Sequence, residues 1–98
     1  MLADFSIAPV DKGSCNLGQY VAKVVEIIRD SGLEYQSHSM GTIVEGNTEE
    51  VFDLIKKCHM RMLEHSDRVY TVIKIDDRKN SKGRLKGKVE SVNKHLSK

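Results

Sequence analysis

The spacing of apolar residues changes from segment to segment along this chain, and the order of those changes limits the folds open to it. Alternation with a period of two marks a half-buried strand, and recurrence at three and four marks one face of a helix. Residues 2–10 alternate, with Ala3, Phe5 and Ile7 on one side and Asp4, Ser6 and Ala8 on the other, until Pro9 and Asp11-Lys12-Gly13-Ser14 end the run. Residues 17–31 predict a helix with the stripe Leu17, Val21, Val24, Val25 and Ile28; Asn16 is the candidate N-cap, Gln19 follows it by three, and Gly32 suits the C′ position. Residues 33–38 and 40–45 predict a hairpin around Ser39, supported by Tyr35, Thr42, Ile43 and Val44 and closed by Gly46. A second helix opens at Asn47-Thr48-Glu49-Glu50, where Asn47 can cap and two acids meet the positive end of the dipole. It continues through Val51, Leu54, Ile55, Cys58, Met62 and Leu63, and Ser66-Asp67 breaks it. Residues 68–76 form the clearest strand, with Val69, Thr71, Ile73 and Ile75 on one face and Tyr70, Val72, Lys74 and Asp76 on the other. A polar loop from Asp77 to Lys82 leads to a third helix over 83–96 with the stripe Leu85, Val89, Val92 and Leu96.

This order predicts an α+β chain, a ferredoxin-like βαββαβ sandwich with a C-terminal helix added. The expected sheet is four-stranded and antiparallel, in the order 4-1-3-2, with the first two helices on one face. Phe5, Ile7, Tyr35, Val44, Val69, Ile73 and Ile75 are assigned to that covered face. The other face carries Asp4, Ser6, Ala8, Ile43, Glu45, Tyr70, Val72 and Lys74. A solvated sheet face is more uniformly polar than this, so Ile43, Tyr70 and Val72 predict a cover, most simply a second copy of the chain. The plainer alternative is a mixed surface with scattered apolar residues.

Ninety-eight residues make one domain, expected to span 1–98. A chain this size buries roughly 60–65% of its unfolded surface, so its core is modest and assembly is the expected aid to stability. Two cysteines, Cys15 and Cys58, lie outside any C-x-x-C pair and predict neither a disulfide framework nor a zinc site. Sixteen basic and fourteen acidic residues give a formal charge of +2, too balanced to require a nucleic acid. Asp4 interrupts an N-terminus without a basic lead, so no signal peptide is expected. No run reaches the ~20 apolar residues of a membrane span. The expected location is the cytoplasm.

The run Met40-Gly41-Thr42-Ile43-Val44-Glu45-Gly46 resembles the M-G-T-x-x-E-G signature of the YkoF-like thiamine-binding protein family, long catalogued as uncharacterised. Tyr20-Val21-Ala22, Arg68-Val69-Tyr70-Thr71, Lys74-Ile75-Asp76-Asp77-Arg78 and Lys88-Val89-Glu90-Ser91-Val92 are similar to further family segments, so the resemblance covers nearly the whole chain. It implies a ferredoxin-like fold in homodimers that pair into tetramers, and members that bind thiamine or its aminopyrimidine part.

A thiamine site needs a slot for flat rings, a carboxylate for the amino edge or the cation, and a hydroxyl to fix orientation. Asp4 and Ser6 on the first strand, Thr42 and Glu45 on the third and Tyr70 on the fourth are the candidate ligand-binding residues, with Tyr70 able to stack on a ring or cation. Each also has a bland role: Glu45 as a solvated strand end, Asp4 as a partner for Lys74, Ser6 and Thr42 as ordinary strand residues, Tyr70 as interface packing. Lys79, Lys82, Arg84, Lys86 and Lys88 crowd the start of the third helix, which suggests an anion near Ser81 and Arg84; a solvated basic loop is the alternative. Gly83 and Gly87 lack phosphate-loop spacing, the histidines are scattered, and no catalytic or metal-binding set emerges. The central strands lack the placed aromatics of an RNA-recognition sheet. The sequence thus predicts a non-enzymatic small-molecule binding protein without cofactor, taking thiamine or hydroxymethylpyrimidine at the sheet and subunit contacts of a homotetramer. The alternatives are a structural or regulatory oligomer acting through protein contacts, and an enzyme of thiamine metabolism.

Overall fold

The computed structural model describes residues 1–11, 17–80 and 82–96. Among these the elements run β1 (Leu2–Pro9), α1 (Gly18–Asp30), β2 (Glu34–His38), β3 (Gly41–Glu45), α2 (Thr48–Leu63), β4 (Val69–Asp76) and α3 (Arg84–Leu96). The strands form one antiparallel sheet in the order β2-β3-β1-β4, as the sequence predicts. Element limits differ from the expected ones by a residue or two, the usual uncertainty of frayed ends.

Local chemistry sets the ends of the helices. Asn47 has extended backbone and its side chain accepts a hydrogen bond from the Glu50 amide at 2.8 Å, the predicted cap of α2. Gly32 takes a positive φ of 79° after α1, a conformation that a Cβ disfavours. Ser31 beside it donates its hydroxyl to the Ile28 carbonyl at 2.6 Å and accepts from the Leu33 amide at 3.2 Å. At the start of α1 the N-cap position falls on Leu17, which makes no side-chain cap bond; the predicted cap, Asn16, lies outside the described residues.

The core lies between α1, α2 and the two central strands. Ala3, Phe5 and Ile7 of β1 and Val44 of β3 pack with Val24 and Ile28 of α1 and Val51, Leu54, Ile55, Cys58 and Met62 of α2. Each larger side chain buried in this way stabilises the fold by about 1.5–3 kcal/mol. Burial pushes the Cys58 thiol up to about 12, so it stays protonated and unreactive in the folded protein.

The expected covered face is only partly covered. Phe5, Ile7 and Val44 are buried and Val69 packs against the core, but Tyr35, Ile73 and Ile75 remain 37–42% exposed. The helices pack on each other above the centre of the sheet, mainly over β1, and the outer strands lie at their flanks. The stripe of α3 meets a similar correction. Leu85 is buried, whereas Val89, Val92 and Leu96 face solvent, because α3 touches the sheet mainly through the end of β3. Periodicity sets the helix; it does not say that the stripe finds a partner within the chain.

Candidate functional site

The sheet has a notch. β1 pairs with β4 along its full length, from Leu2 opposite Asp76 to Pro9 opposite Val69, but with β3 only from Leu2 to Phe5. β3 begins at Gly41, so Ser6 to Pro9 have no strand partner on that side among the described residues. Alternate residues of an antiparallel strand turn their amides and carbonyls to each side, and the Val10 amide bonds Arg68 on the β4 side, so Ile7 offers its amide and carbonyl, and Pro9 its carbonyl alone, to the gap. A cavity of about 240 Å³ occupies it, walled by Phe5 and Ile7 below, Val21, Val24 and Val25 of α1 above, and the Ser37–Thr42 hairpin at the side. Thr42 lines this cavity and is almost wholly buried, facing the helices beside Phe5. Drug-sized ligands occupy about 300–1,000 Å³, so the notch suits a single flat ring.

Gly41 makes the close approach that shapes the notch. A Cβ there would lie 2.7 Å from the Phe5 carbonyl oxygen and 3.3 Å from its carbon. Only a glycine lets the hairpin come this near to β1.

On the other side of the sheet a shallow depression of about 400 Å³ adjoins the notch, lined by Asp4, Ser6, His38, Met40, Val72 and Lys74 among others. His38 Nε2 lies 2.8 Å from Asp4 Oδ1, and the Met40 amide donates to His38 Nδ1 at 3.2 Å. The amide fixes the tautomer: Nδ1 accepts, so Nε2–H donates to the carboxylate. Asp4 faces Lys74 in register, but its hydrogen-bonded partner is His38. Ser6 lies opposite Val72, and Tyr70, opposite Ala8, is 62% exposed on the same face. Asp4 and Ser6 from the open side and Thr42 from the helix side thus lie around the notch, whereas Tyr70 stands across β1 from it, opposite Ala8.

Glu45 sits elsewhere. It lies two residues beyond Ile43, the partner of Asp4, and so about 7 Å further along the sheet. Its carboxylate accepts the backbone amides of Arg84 at 2.9 Å and Leu85 at 3.2 Å, capping α3 from a distant strand. This carboxylate occupies the end of α3 where an anion was expected. Arg84 turns its guanidinium to Asp76, which Lys88 also reaches, while Ser81 lies outside the described residues. Hydrogen bonds from Lys88 and Arg84 hold the Asp76 carboxyl below the usual carboxylate range. A carboxylate lowered on folding contributes stability above its unfolded value, and that contribution goes as pH falls through the folded one. Amides in the first turn of α3 are therefore expected to lose hydrogen-exchange protection on acidification below about pH 4. Asp76→Asn should show the same loss at neutral pH.

Sequence reasoning did not select His38, Met40 or the apolar wall from α1. Val21 and Val24 read equally well as core, and no sequence pattern announces that β3 stops short of Ser6. His38 carried a signal only in retrospect, as a polar residue at a hairpin end, opposite Gly41.

No helix among the described residues is long and apolar enough to cross a membrane. Comparison with known proteins agrees with the architecture. The UPF0045 protein YqgV of Bacillus subtilis is 36% identical over 100 residues, covering 97% of this chain and 96% of the relative. The UPF0045 protein MJ1052 of Methanocaldococcus jannaschii is 32% identical over 92 residues, covering 94% and 91%. The crystal structure of MJ1052 superimposes with a TM-score of 0.86 over 94% of each chain. A domain of unknown function from Bacillus cereus gives 0.79 at 26% identity, covering 90% and 85%. The model of the family described as "Thiamine-binding protein" matches residues 3–93, and with these relatives it shows that the chain belongs to the thiamine-binding protein family.

Proposed function

We propose that this chain is a non-enzymatic binding protein that receives the aminopyrimidine of thiamine, or free hydroxymethylpyrimidine, in the notch between β1 and the hairpin. The observation that carries this reading is the edge of β1 that has no strand partner among the described residues, beneath an apolar wall. An aminopyrimidine edge presents a ring nitrogen that accepts and an amino group that donates. A free strand edge presents the complementary carbonyl and amide. The Thr42 hydroxyl adds a third polar contact, and the valines of α1 cover the ring face. The thiazolium is too much for a cavity of about 240 Å³ and extends to the open side, where Asp4 supplies negative charge; Tyr70, further along the same face opposite Ala8, offers an aromatic face to the cation. Family membership supports the ligand class. The exposed apolar residues of β4 and α3 support a homo-oligomer, read as a cytoplasmic dimer of dimers.

Calorimetry with thiamine, hydroxymethylpyrimidine and the thiazole alcohol alone tests the proposal. Thiamine and the pyrimidine are expected to give heat and raise Tm, and the thiazole to do neither. If neither pyrimidine compound shifts melting at millimolar concentration, the ligand assignment fails. The oligomer acting through protein contacts then becomes the better reading.

A further inference from the structure

The two outer edges of the sheet are built differently. β2 is five residues long and carries Glu34, Gln36, Ser37 and His38, polar groups that discourage pairing. β4 is eight residues long, contains neither proline nor glycine, and shows apolar side chains on both faces. Tyr70 and Val72 are 62% and 47% exposed on the open side, and Ile73 and Ile75 are 42% and 39% exposed on the helix side. A long, regular edge with apolar flanks is what a monomeric protein avoids, because its free amides and carbonyls template another strand.

We infer that β4 pairs antiparallel with β4 of a second copy about a two-fold axis at Val72, joining the sheets edge to edge. This rests on the self-association proposed above and names its interface. Residues opposite one another in an antiparallel pair share a face, and a two-fold axis normal to the sheet keeps faces, so one residue must meet its own copy. Centring on Val72 sets Arg68 opposite Asp76 and Tyr70 opposite Lys74, with Val69 opposite Ile75 on the helix side. Centring on Thr71 would set Arg68 against Lys74, and centring on Lys74 would set that residue against itself; like charges so placed are unfavourable. Centring on Ile73 sets Val72 against Lys74 and leaves Arg68 without a carboxylate. The Val72 register also uses what the chain leaves over. Arg84 and Lys88 both bind Asp76 through Oδ2, and the Arg68 guanidinium has no ion pair among the described residues.

Directly opposed residues have Cα atoms about 4.5–5.5 Å apart, within the range a disulfide spans. In a Cys15→Ser chain that keeps the buried Cys58, V72C is expected to cross-link into a covalent dimer in mild oxidant. Y70C alone and K74C alone should not cross-link, whereas their mixture should. All three positions are surface-exposed, and circular dichroism checks that each variant is folded. A particle of single-chain mass by sedimentation at micromolar concentration overturns this interface and the oligomer together. A dimer in which V72C stays uncoupled, or in which Y70C couples to itself, overturns this interface alone. Neither result depends on the calorimetry of the notch.

Discussion

Thr42→Val is expected to weaken binding of thiamine and of hydroxymethylpyrimidine by about ten- to a hundredfold while leaving Tm unchanged or slightly raised. The substitution keeps the shape of the side chain and removes one hydroxyl. Thr42 is only 6% exposed and lines the notch, so a bound ring would shut the remaining solvent out. A polar ring atom left there without its partner costs about 1–3 kcal/mol, which gives the stated loss of affinity. In the free protein the change exchanges a buried polar group for a methyl, and stability does not suffer. Calorimetry and thermal melting of the same preparation separate the two effects. If Thr42→Val binds as tightly as the native chain, the ring does not enter the notch.

Gly41→Ala is expected to lower Tm by roughly 5–20 °C and to abolish binding. The added methyl meets the Phe5 carbonyl, which is backbone of a central strand held on both sides. Neither strand can yield without breaking the ladder, and overpacking of this kind costs about 1–3 kcal/mol. Displacing the hairpin also moves Thr42, so affinity falls with stability. Gly87→Ala is the control. It lies inside α3, a Cβ there meets nothing within 4 Å, and the change should stabilise that helix by about 0.5–1 kcal/mol.

Much of this fold is legible in the order of the apolar residues. The strand and helix sequence, the sheet order and most of the core follow from it, because central strands and the helices packed on them must match their periods to burial. The failures lie where period and burial part. Tyr35, Ile73 and Ile75 alternate as core residues do, yet they sit on edge strands beyond the helices. Val89, Val92 and Leu96 repeat as a buried stripe does, yet they stay 52–76% exposed. The candidate site divides in the same way. Asp4, Ser6 and Tyr70 share a face because strand alternation demands it. Thr42 reaches the site from the opposite face, which only the short pairing between β1 and β3 allows. Glu45 looked like a binding carboxylate because it stands in the run over 40–46 that resembles the family signature. Its engagement with α3 joins residues 39 positions apart, a contact no local pattern encodes.

The sealed thiol of Cys58 gives this protein a gauge of its own opening. With Cys15 replaced by serine, an alkylating reagent can act only on molecules whose interior has come apart. The labelling rate then follows the small open fraction, without added dye or denaturant. A compound that favours the closed form must slow that rate by the factor one plus its concentration over its Kd. Mass spectrometry of a single unmodified side chain would thus rank candidate metabolites in a mixture, including ones whose binding releases no measurable heat.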